Sequence, residues 1–227
     1  MSNTPTLVGL QSVKHYRIIP SVYPSINFFE DLVDPDEMEM LWEIESLTNG
    51  RLRQETGDIF LVAPEDRVGG QGSSVVMAAF THVGRPSRFT DGSYGVYYAS
   101  FSQKTAICET VYHREQFLAA TAEAPCELAM RLYDSKIIKP MHDIRNQCYE
   151  RYHHPQRYHE SQHFAKALRD NKSWGIVYHS VRDQAGQCVA VLRPKAITMP
   201  NPVAHLRYCW DGRKIVDVVK TKSLSYA

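Results

Sequence analysis

Five side chains, far apart in the sequence, are of types that could together form one chemical site. Guanidinium groups bind phosphate bidentately, and a buried carboxylate stabilises positive charge that develops during a reaction. An aromatic face attracts a cationic ring, and a hydroxyl donates or accepts a hydrogen bond. Each residue alone has an ordinary interpretation as a solvated charge or a packing group. The set consists of Arg17, Arg88, Tyr98, Glu109 and Ser180.

A second pattern, His-Glu-Ser-Gln-His at residues 159–163, matches a zinc metalloprotease motif. On a helix, His159 and His163 would share one face, as zinc ligation requires. The preceding segment 149–157 is polar and broken by Pro155, so it lacks an apolar flank that would keep the site dry. We therefore favour a solvated helix face and expect no metal site.

Other catalytic signatures are missing from the sequence. It contains no Gly-x-Ser-x-Gly for a serine hydrolase, no phosphate-cradling Gly-x-x-x-x-Gly-Lys-Ser/Thr and no dinucleotide fingerprint Gly-x-Gly-x-x-Gly. The glycines at 69–72 are interpreted as a plain turn.

One helix is predicted to present the carboxylate. Ser102 is a candidate N-cap, and residues 105–118 contain neither Pro nor Gly, so this stretch is predicted to be helical. Ile107, Val111 and Leu118 would form its buried stripe. Glu109 would lie about 200° round the helix from Ile107, on a face that can look into a cleft.

The remaining elements are predicted from their composition and from the Pro, Gly, Asn and Asp residues at their ends. Asp34-Pro35 with Glu37 begins a helix that ends at Asn49-Gly50, segment 74–80 fits a strand or a helix, and 146–170 is polar and partly helical. The last two predicted strands are joined by a turn at 182–186 and form a hairpin. The predicted strands are 13–19, 59–63, 94–99, 127–133, 137–138, 176–178 and 188–192.

The composition is that of a globular protein, and the predicted helices and strands fit one α+β domain. The chain has 227 residues and a net charge of +1, so it has no basic footprint for nucleic acid or an anionic membrane. No apolar run approaches the roughly 18–20 residues of a membrane span, and residues 1–11 lack the pattern of a secretory signal. Five widely spaced cysteines suggest reduced thiols, so we expect a cytoplasmic protein. We expect a domain at 13–200, with a helical insertion near 34–50, and a C-terminal extension, 201–227, packed on it.

The spacing of the candidate set resembles the RES domain, named for its Arg, Glu and Ser and found in bacterial toxin–antitoxin modules. Tyr98 follows Arg88 by ten residues, Glu109 follows Tyr98 by eleven, and Ala106 precedes the acid by three. The resemblance runs from about residue 16 to 194. The family's usual Arg-Trp-Asn reads Arg88-Phe-Thr here, and the long stretch between Arg17 and Arg88 makes this a larger variant.

This resemblance implies a fold related to ADP-ribosyltransferases, with central packed sheets flanked by helices, and an enzyme that destroys NAD+ by hydrolysis or phosphorolysis of the nicotinamide–ribose bond. NAD+ would be the substrate, with no further cofactor. Glu109 would stabilise the ribose cation, and Arg17 and Arg88 would hold the pyrophosphate. Tyr98 would face the nicotinamide, and Ser180 would bond the phosphate or ribose. Arg88, Tyr98 and Glu109 are thus the predicted catalytic residues.

The resemblance also implies a partner, a small Xre-like helix-turn-helix antitoxin encoded alongside, through which any DNA contact would come. Homo-oligomerisation is possible. Three alternatives stay open: a mono-ADP-ribosyltransferase acting on a macromolecule, a non-catalytic NAD-binding module in which Arg88 and Glu109 form a structural ion pair, and the metalloprotease. Water and phosphate are equally possible acceptors, and the nucleophile could be oriented by Tyr112, His113 or His179.

Overall fold

A computed structural model describes residues 4–21 and 57–221 of the chain. These residues form one nine-stranded sheet with the order β1-β5-β6-β7-β3-β2-β4-β8-β9. Neighbouring strands are antiparallel except for the parallel pair β5 and β6. The strands are β1 Leu7–Val8, β2 Lys14–Pro20, β3 Tyr97–Ser100, β4 Cys126–Lys136, β5 Met141–Asp143, β6 Gly175–His179, β7 Gln187–Val191, β8 Asn201–Trp210 and β9 Ile215–Thr221.

In the described part of the chain, three α-helices cover the two faces of the sheet: α1 (Ser73–Thr81), α2 (Gln103–Ala120) and α3 (His159–Asp170). On one face, Met77 of α1 belongs to the same buried cluster as Tyr97. On the other, α2 and α3 each pack into an apolar cluster of their own. Helices on both sides of a mixed sheet bury its apolar residues, so the predicted α+β architecture is confirmed.

The sheet is split at its centre, between β2 and β3. These strands pair at one position, Tyr16 opposite Ser100, whereas β2 pairs with β4 over all of its seven residues. The side chain of Arg17 reaches across the divergence and donates from Nη1 to the Tyr98 carbonyl at 3.0 Å. A backbone carbonyl left without a strand partner is thereby satisfied, and the gap stays open beside it.

Helix α2 begins as its sequence predicts. Ser102 is its N-cap, and the serine Oγ accepts a hydrogen bond from the Thr105 amide at 3.0 Å. Leu118 is buried, and Ile107 and Val111 are half-buried against the cluster that contains Ile18. The predicted stripe therefore holds this helix on β2 and β4.

Two local predictions are corrected. The apolar segment 59–63 is not a strand: Ile59–Leu61 is a short 3-10 helix capped by Asp58, whose carboxylate accepts from the Phe60 amide. Ile59 is fully buried while Phe60 is 48% exposed. One helical turn can point these two side chains in different directions without pairing to a strand. Likewise, Ile138 is not in a strand, since only its neighbour Ile137 forms a bridge, to Ile197.

The strand predicted at 94–99 begins only at Tyr97, as β3, and three further predicted segments agree with the structure. Segment 74–80 is the helix α1 rather than a strand, and 146–170 contains a 3-10 helix, Gln147–His153, followed by α3. The predicted hairpin is the antiparallel pair β6 and β7. Residues 201–221 of the predicted C-terminal extension continue the sheet as β8 and β9. The predicted helix near 34–50 lies outside the described residues. None of the helices in the described part of the chain is long and apolar enough to span a bilayer.

Candidate active site

A cavity of about 1010 Å³ opens at the split in the sheet. Because β2 and β3 diverge there, side chains from both faces of the sheet reach it. Arg17, Arg88, Tyr98 and Glu109, which the sequence singled out, all line this one cavity. Ser180 contacts it through a hydrogen bond to Glu109.

Glu109 is held by Ser180, 71 residues later in the chain. The Ser180 hydroxyl donates to Glu109 Oε1 at 2.5 Å. Its oxygen accepts from the amides of Arg182 at 3.1 Å and Asp183 at 3.0 Å. With the acceptor side occupied by two N–H groups, the hydroxyl proton is directed at the carboxylate. Ser180 is therefore a positioning residue for Glu109.

A second contact fixes the turn that carries Ser180 onto the start of α2. The Thr105 hydroxyl donates to Asp183 Oδ2 at 2.8 Å, and Lys104 Nζ lies 3.2 Å from Asp183 Oδ1. These two bonds lower the pKa of Asp183, and the bond from Thr105 has the larger effect. A Cβ on Gly186 would lie 2.5 Å from Thr105 Cγ2, so only glycine allows this close approach. The turn and the helix thus bring Ser180 and Glu109 together as one unit.

Arg88 is buried, and part of its guanidinium is committed to the backbone. Nη1 donates to the carbonyls of Tyr152 at 3.1 Å and His154 at 2.9 Å. The guanidinium carbon lies 4.8 Å from the centre of the Tyr158 ring. Among the described residues Arg88 makes no ion pair with Glu109, so the structural ion pair considered above is absent there.

Tyr98 holds the segment around Arg88 with its hydroxyl. The hydroxyl lies 2.7 Å from Ser87 Oγ and accepts from the Phe89 amide at 2.9 Å, and its ring stacks on the Phe89 ring at 6.4 Å. Burial raises the pKa of Tyr98 to about 12, which keeps the phenol neutral. Tyr98 thus fixes the position of Arg88 in addition to lining the cavity.

Arg17 stands at the edge of the split, with its guanidinium 4.5 Å from the Tyr97 ring centre. Its Nε is buried and has no hydrogen-bond partner among the described residues, and burial lowers the Arg17 pKa. His15, on the same strand, is fully buried, and neither ring nitrogen has a partner within the described part of the chain. Burial, and after it the charge of Arg17, lowers the His15 pKa to about 4. A neutral imidazole therefore lies next to this cation.

The cavity also contains cations that the sequence did not single out, namely Arg114, Arg131 and Arg182. Arg182 lies 3.4 Å from the centre of the Tyr112 ring and donates from Nη2 to the Pro155 carbonyl at 2.6 Å. Among the described lining residues, Glu109 is the one carboxylate. Nothing in the local sequence marks these arginines, because they reach the cavity from three separate elements: Arg114 from α2, Arg131 from β4 and Arg182 from the turn after β6.

Of the three residues considered for orienting a nucleophile, His113 lines the cavity. Burial lowers the pKa of His113, so its imidazole is neutral near pH 7 and can accept a proton. The ring of Tyr112 is covered by Arg182. His179 Nε2 lies 3.1 Å from the Arg145 carbonyl.

The histidine motif lies elsewhere. His159 and His163 are both exposed on α3. Within residues 4–21 and 57–221, no three His, Cys, Asp or Glu side chains are grouped as metal ligands. The five cysteines carry free thiols.

The fold and the site together define an α+β protein with a cavity that contains several arginines. Glu109 is the one carboxylate among the described residues that line this cavity. Residues 64–211 match the RES domain family. The chain is 31% identical over 206 residues to the protein y4oC of Sinorhizobium fredii (strain NBRC 101917 / NGR234), with 88% of this chain and 84% of that protein covered. The protein therefore belongs to the RES domain family, and the resemblance carried by Arg88, Tyr98 and Glu109 is confirmed.

Among solved structures, the chain is similar to one in the crystal structure of the M. tuberculosis MbcT–MbcA toxin–antitoxin complex. The two chains are 10% identical and superpose with a TM-score of 0.44, over 87% of this chain and 85% of that one.

Proposed function

We propose that this protein cleaves the nicotinamide–ribose bond of NAD+ and acts as the toxin of a toxin–antitoxin pair. The observation that carries the enzymatic proposal is the Glu109 carboxylate, which is fixed by a 2.5 Å hydrogen bond from Ser180. It is the one carboxylate among the described lining residues of a cavity that also contains five arginines. A single oriented carboxylate suits a reaction in which positive charge develops at the reacting carbon. The arginines suit a substrate that is anionic at its other end.

The reaction breaks one carbon–nitrogen bond. The bonding electron pair leaves with nicotinamide, which departs neutral, and positive charge develops on the anomeric carbon of the ribose, as in other glycosidic cleavages. The Glu109 carboxylate stabilises that charge, or holds the ribose hydroxyls that share it. Water or phosphate then bonds to the anomeric carbon. When water attacks it loses a proton, which the neutral imidazole of His113 can accept.

The cationic lining suits the pyrophosphate of the dinucleotide. Arg17 and Arg88 both line the cavity, and planar guanidinium groups bind phosphate oxygens in pairs. The volume of about 1010 Å³ is at the upper end of ordinary ligand pockets, as a dinucleotide needs. The Tyr98 hydroxyl is occupied, so its contribution to the nicotinamide is through the ring face.

The toxin role rests on membership of the RES domain family. An enzyme that drains NAD+ would arrest growth unless it were blocked, so we expect a neutralising partner, and from the family resemblance an Xre-like antitoxin. Inducing the wild-type protein alone should lower cellular NAD+ and stop growth, while Glu109→Gln should do neither at equal protein level.

The test of the enzyme is nicotinamide release from NAD+ by the purified protein, with and without inorganic phosphate. We expect Glu109→Gln to lose about 3 kcal/mol or more of transition-state stabilisation, over a hundredfold in rate. Glu123→Gln, an exposed carboxylate just beyond α2, is the matched control and should keep wild-type activity. Equal rates for wild type and Glu109→Gln would refute the assignment.

The same experiment separates the alternatives. Release that requires phosphate identifies a phosphorylase, and release in water alone identifies a glycohydrolase. Release that occurs only when a macromolecule is added, with label transferred to it, identifies a mono-ADP-ribosyltransferase. Binding of NAD+ without release under any of these conditions identifies a non-catalytic module.

A further inference from the structure

Two arginines on neighbouring strands share the face of the sheet that α2 does not cover. Arg17 lies opposite Tyr133, and Arg131 lies opposite Ile19, so the two arginines are diagonal neighbours across β2 and β4. Residues at diagonal positions have Cβ atoms roughly 7–8 Å apart, within reach of long side chains. Ile18, between Arg17 and Ile19, packs with α2 on the other face, which fixes the side of the sheet to which Arg17 points.

A third basic group extends this pair. His205 on β8 lies directly opposite Arg131, and all three side chains line the cavity. We name Arg17, Arg131 and His205 the β-face cluster. It lies across the split from Glu109, which projects from α2 on the opposite face.

The β-face cluster has unused hydrogen-bond donors. The Nε groups of Arg17 and Arg131 are both buried, and neither has an acceptor among the described residues. A buried N–H without an acceptor is unfavourable, and like charges at neighbouring sheet positions are also unfavourable. The described lining offers no carboxylate on this face. An anion in the cavity would remove both penalties.

We propose that the β-face cluster is a binding site for a phosphoryl group, in which Arg131 is the residue that completes the site begun by Arg17. Two guanidinium groups and an imidazole match a multiply charged phosphoryl group better than a single carboxylate. The inference rests on the proposed function and deepens it, because the phosphoryl group belongs either to the dinucleotide substrate or to inorganic phosphate that enters as the acceptor.

Arg131→Gln tests the site without touching Glu109. The control is Arg207→Gln: Arg207 is two residues from His205 on β8, lies 3.5 Å from Glu127, and is outside the cavity lining. Calorimetric titration with inorganic phosphate and, separately, with ADP-ribose should show at least a tenfold weaker affinity for Arg131→Gln in one or both titrations. Arg207→Gln should bind within twofold of wild type.

The two titrations distinguish the sources of the phosphoryl group. Loss of phosphate affinity alone assigns the site to the acceptor, and loss of ADP-ribose affinity alone assigns it to the dinucleotide. Wild-type affinity for both ligands in Arg131→Gln, or equal losses in Arg207→Gln, overturns the proposal. Arg131→Lys, which keeps the charge but not the fork, should give intermediate affinity and guards against misfolding of the glutamine variant. The ligand whose affinity falls should also raise the Tm of the wild type, and of Arg207→Gln, more than that of either Arg131 variant.

Failure of this proposal and failure of the proposed function have different results. Arg131-dependent ligand binding by a wild-type protein that releases no nicotinamide would keep the site and refute the enzyme. Nicotinamide release with unchanged KM for NAD+ and unchanged phosphate dependence in Arg131→Gln would keep the enzyme and refute the site.

Discussion

The hydroxyl of Ser180 gives the most direct test of how the carboxylate is positioned. Replacing Ser180 by Ala removes a hydrogen bond to Glu109 and leaves two amides, of Arg182 and Asp183, without their acceptor. The turn that carries Ser180 is also held by Thr105 and Asp183, so we expect it to stay in place. The variant therefore changes the orientation of Glu109 more than the fold around it.

The size of the effect follows from the kind of bond lost. A hydrogen bond to a charged group contributes about 1.5–3 kcal/mol, which corresponds to a loss of roughly 10- to 150-fold in kcat/KM. Because the bond positions the group that stabilises the transition state, we expect the loss mainly in kcat, with KM for NAD+ changed by less than about threefold.

The assay is steady-state nicotinamide release, with Ser93→Ala as the control. Ser93 also donates to a carboxylate, Asp91 Oδ1, at 2.5 Å, but on the exposed surface. Ser93→Ala should keep wild-type kcat, and Ser180→Thr should restore part of the activity lost in Ser180→Ala. The reasoning is refuted if Ser180→Ala keeps kcat within twofold of wild type, or if its whole loss appears in KM.

Two further predictions concern stability. His15 is fully buried with a pKa lowered to about 4, so it takes up a proton less readily in the folded than in the unfolded protein, where the pKa is about 6.5. Its neutral form thus contributes stability that is present above about pH 6.5 and is lost, by up to about 3 kcal/mol, as the pH falls toward 4. Urea unfolding at pH 7.5 and pH 4.5 should therefore show a smaller change in the free energy of unfolding for His15→Phe than for the wild type. An equal change in both proteins would contradict this reasoning. Thr105→Val removes the bond to Asp183 and should lower the free energy of unfolding by about 1–2 kcal/mol, whereas Thr121→Val, an exposed position just after α2, should change it by less than about 0.5 kcal/mol.

Much of the fold follows from local pattern. The N-cap at Ser102, the stripe of α2 and the hairpin of β6 and β7 depend on residues close in sequence, so the sequence predicts them correctly. The segment 59–63 was predicted wrongly because a short apolar run is equally compatible with a strand and with a buried helical turn. Which one forms is decided by tertiary packing, since Ile59 is buried in the cluster that contains Met77 and Tyr97.

For the site, the sequence by itself determined which residue types could do the chemistry, and the spacing of Arg88, Tyr98 and Glu109 was sufficient to indicate the RES domain family. The tertiary structure alone decided that Ser180 aims its proton at Glu109, that Arg88 binds two carbonyls, and that Arg131 joins Arg17 on one face. The last arrangement depends on strand register. The first two depend on how turns and helices tens of positions apart in the sequence pack together. A one-residue change of register would turn Arg131 to the other face, and no local pattern in the sequence reports the register.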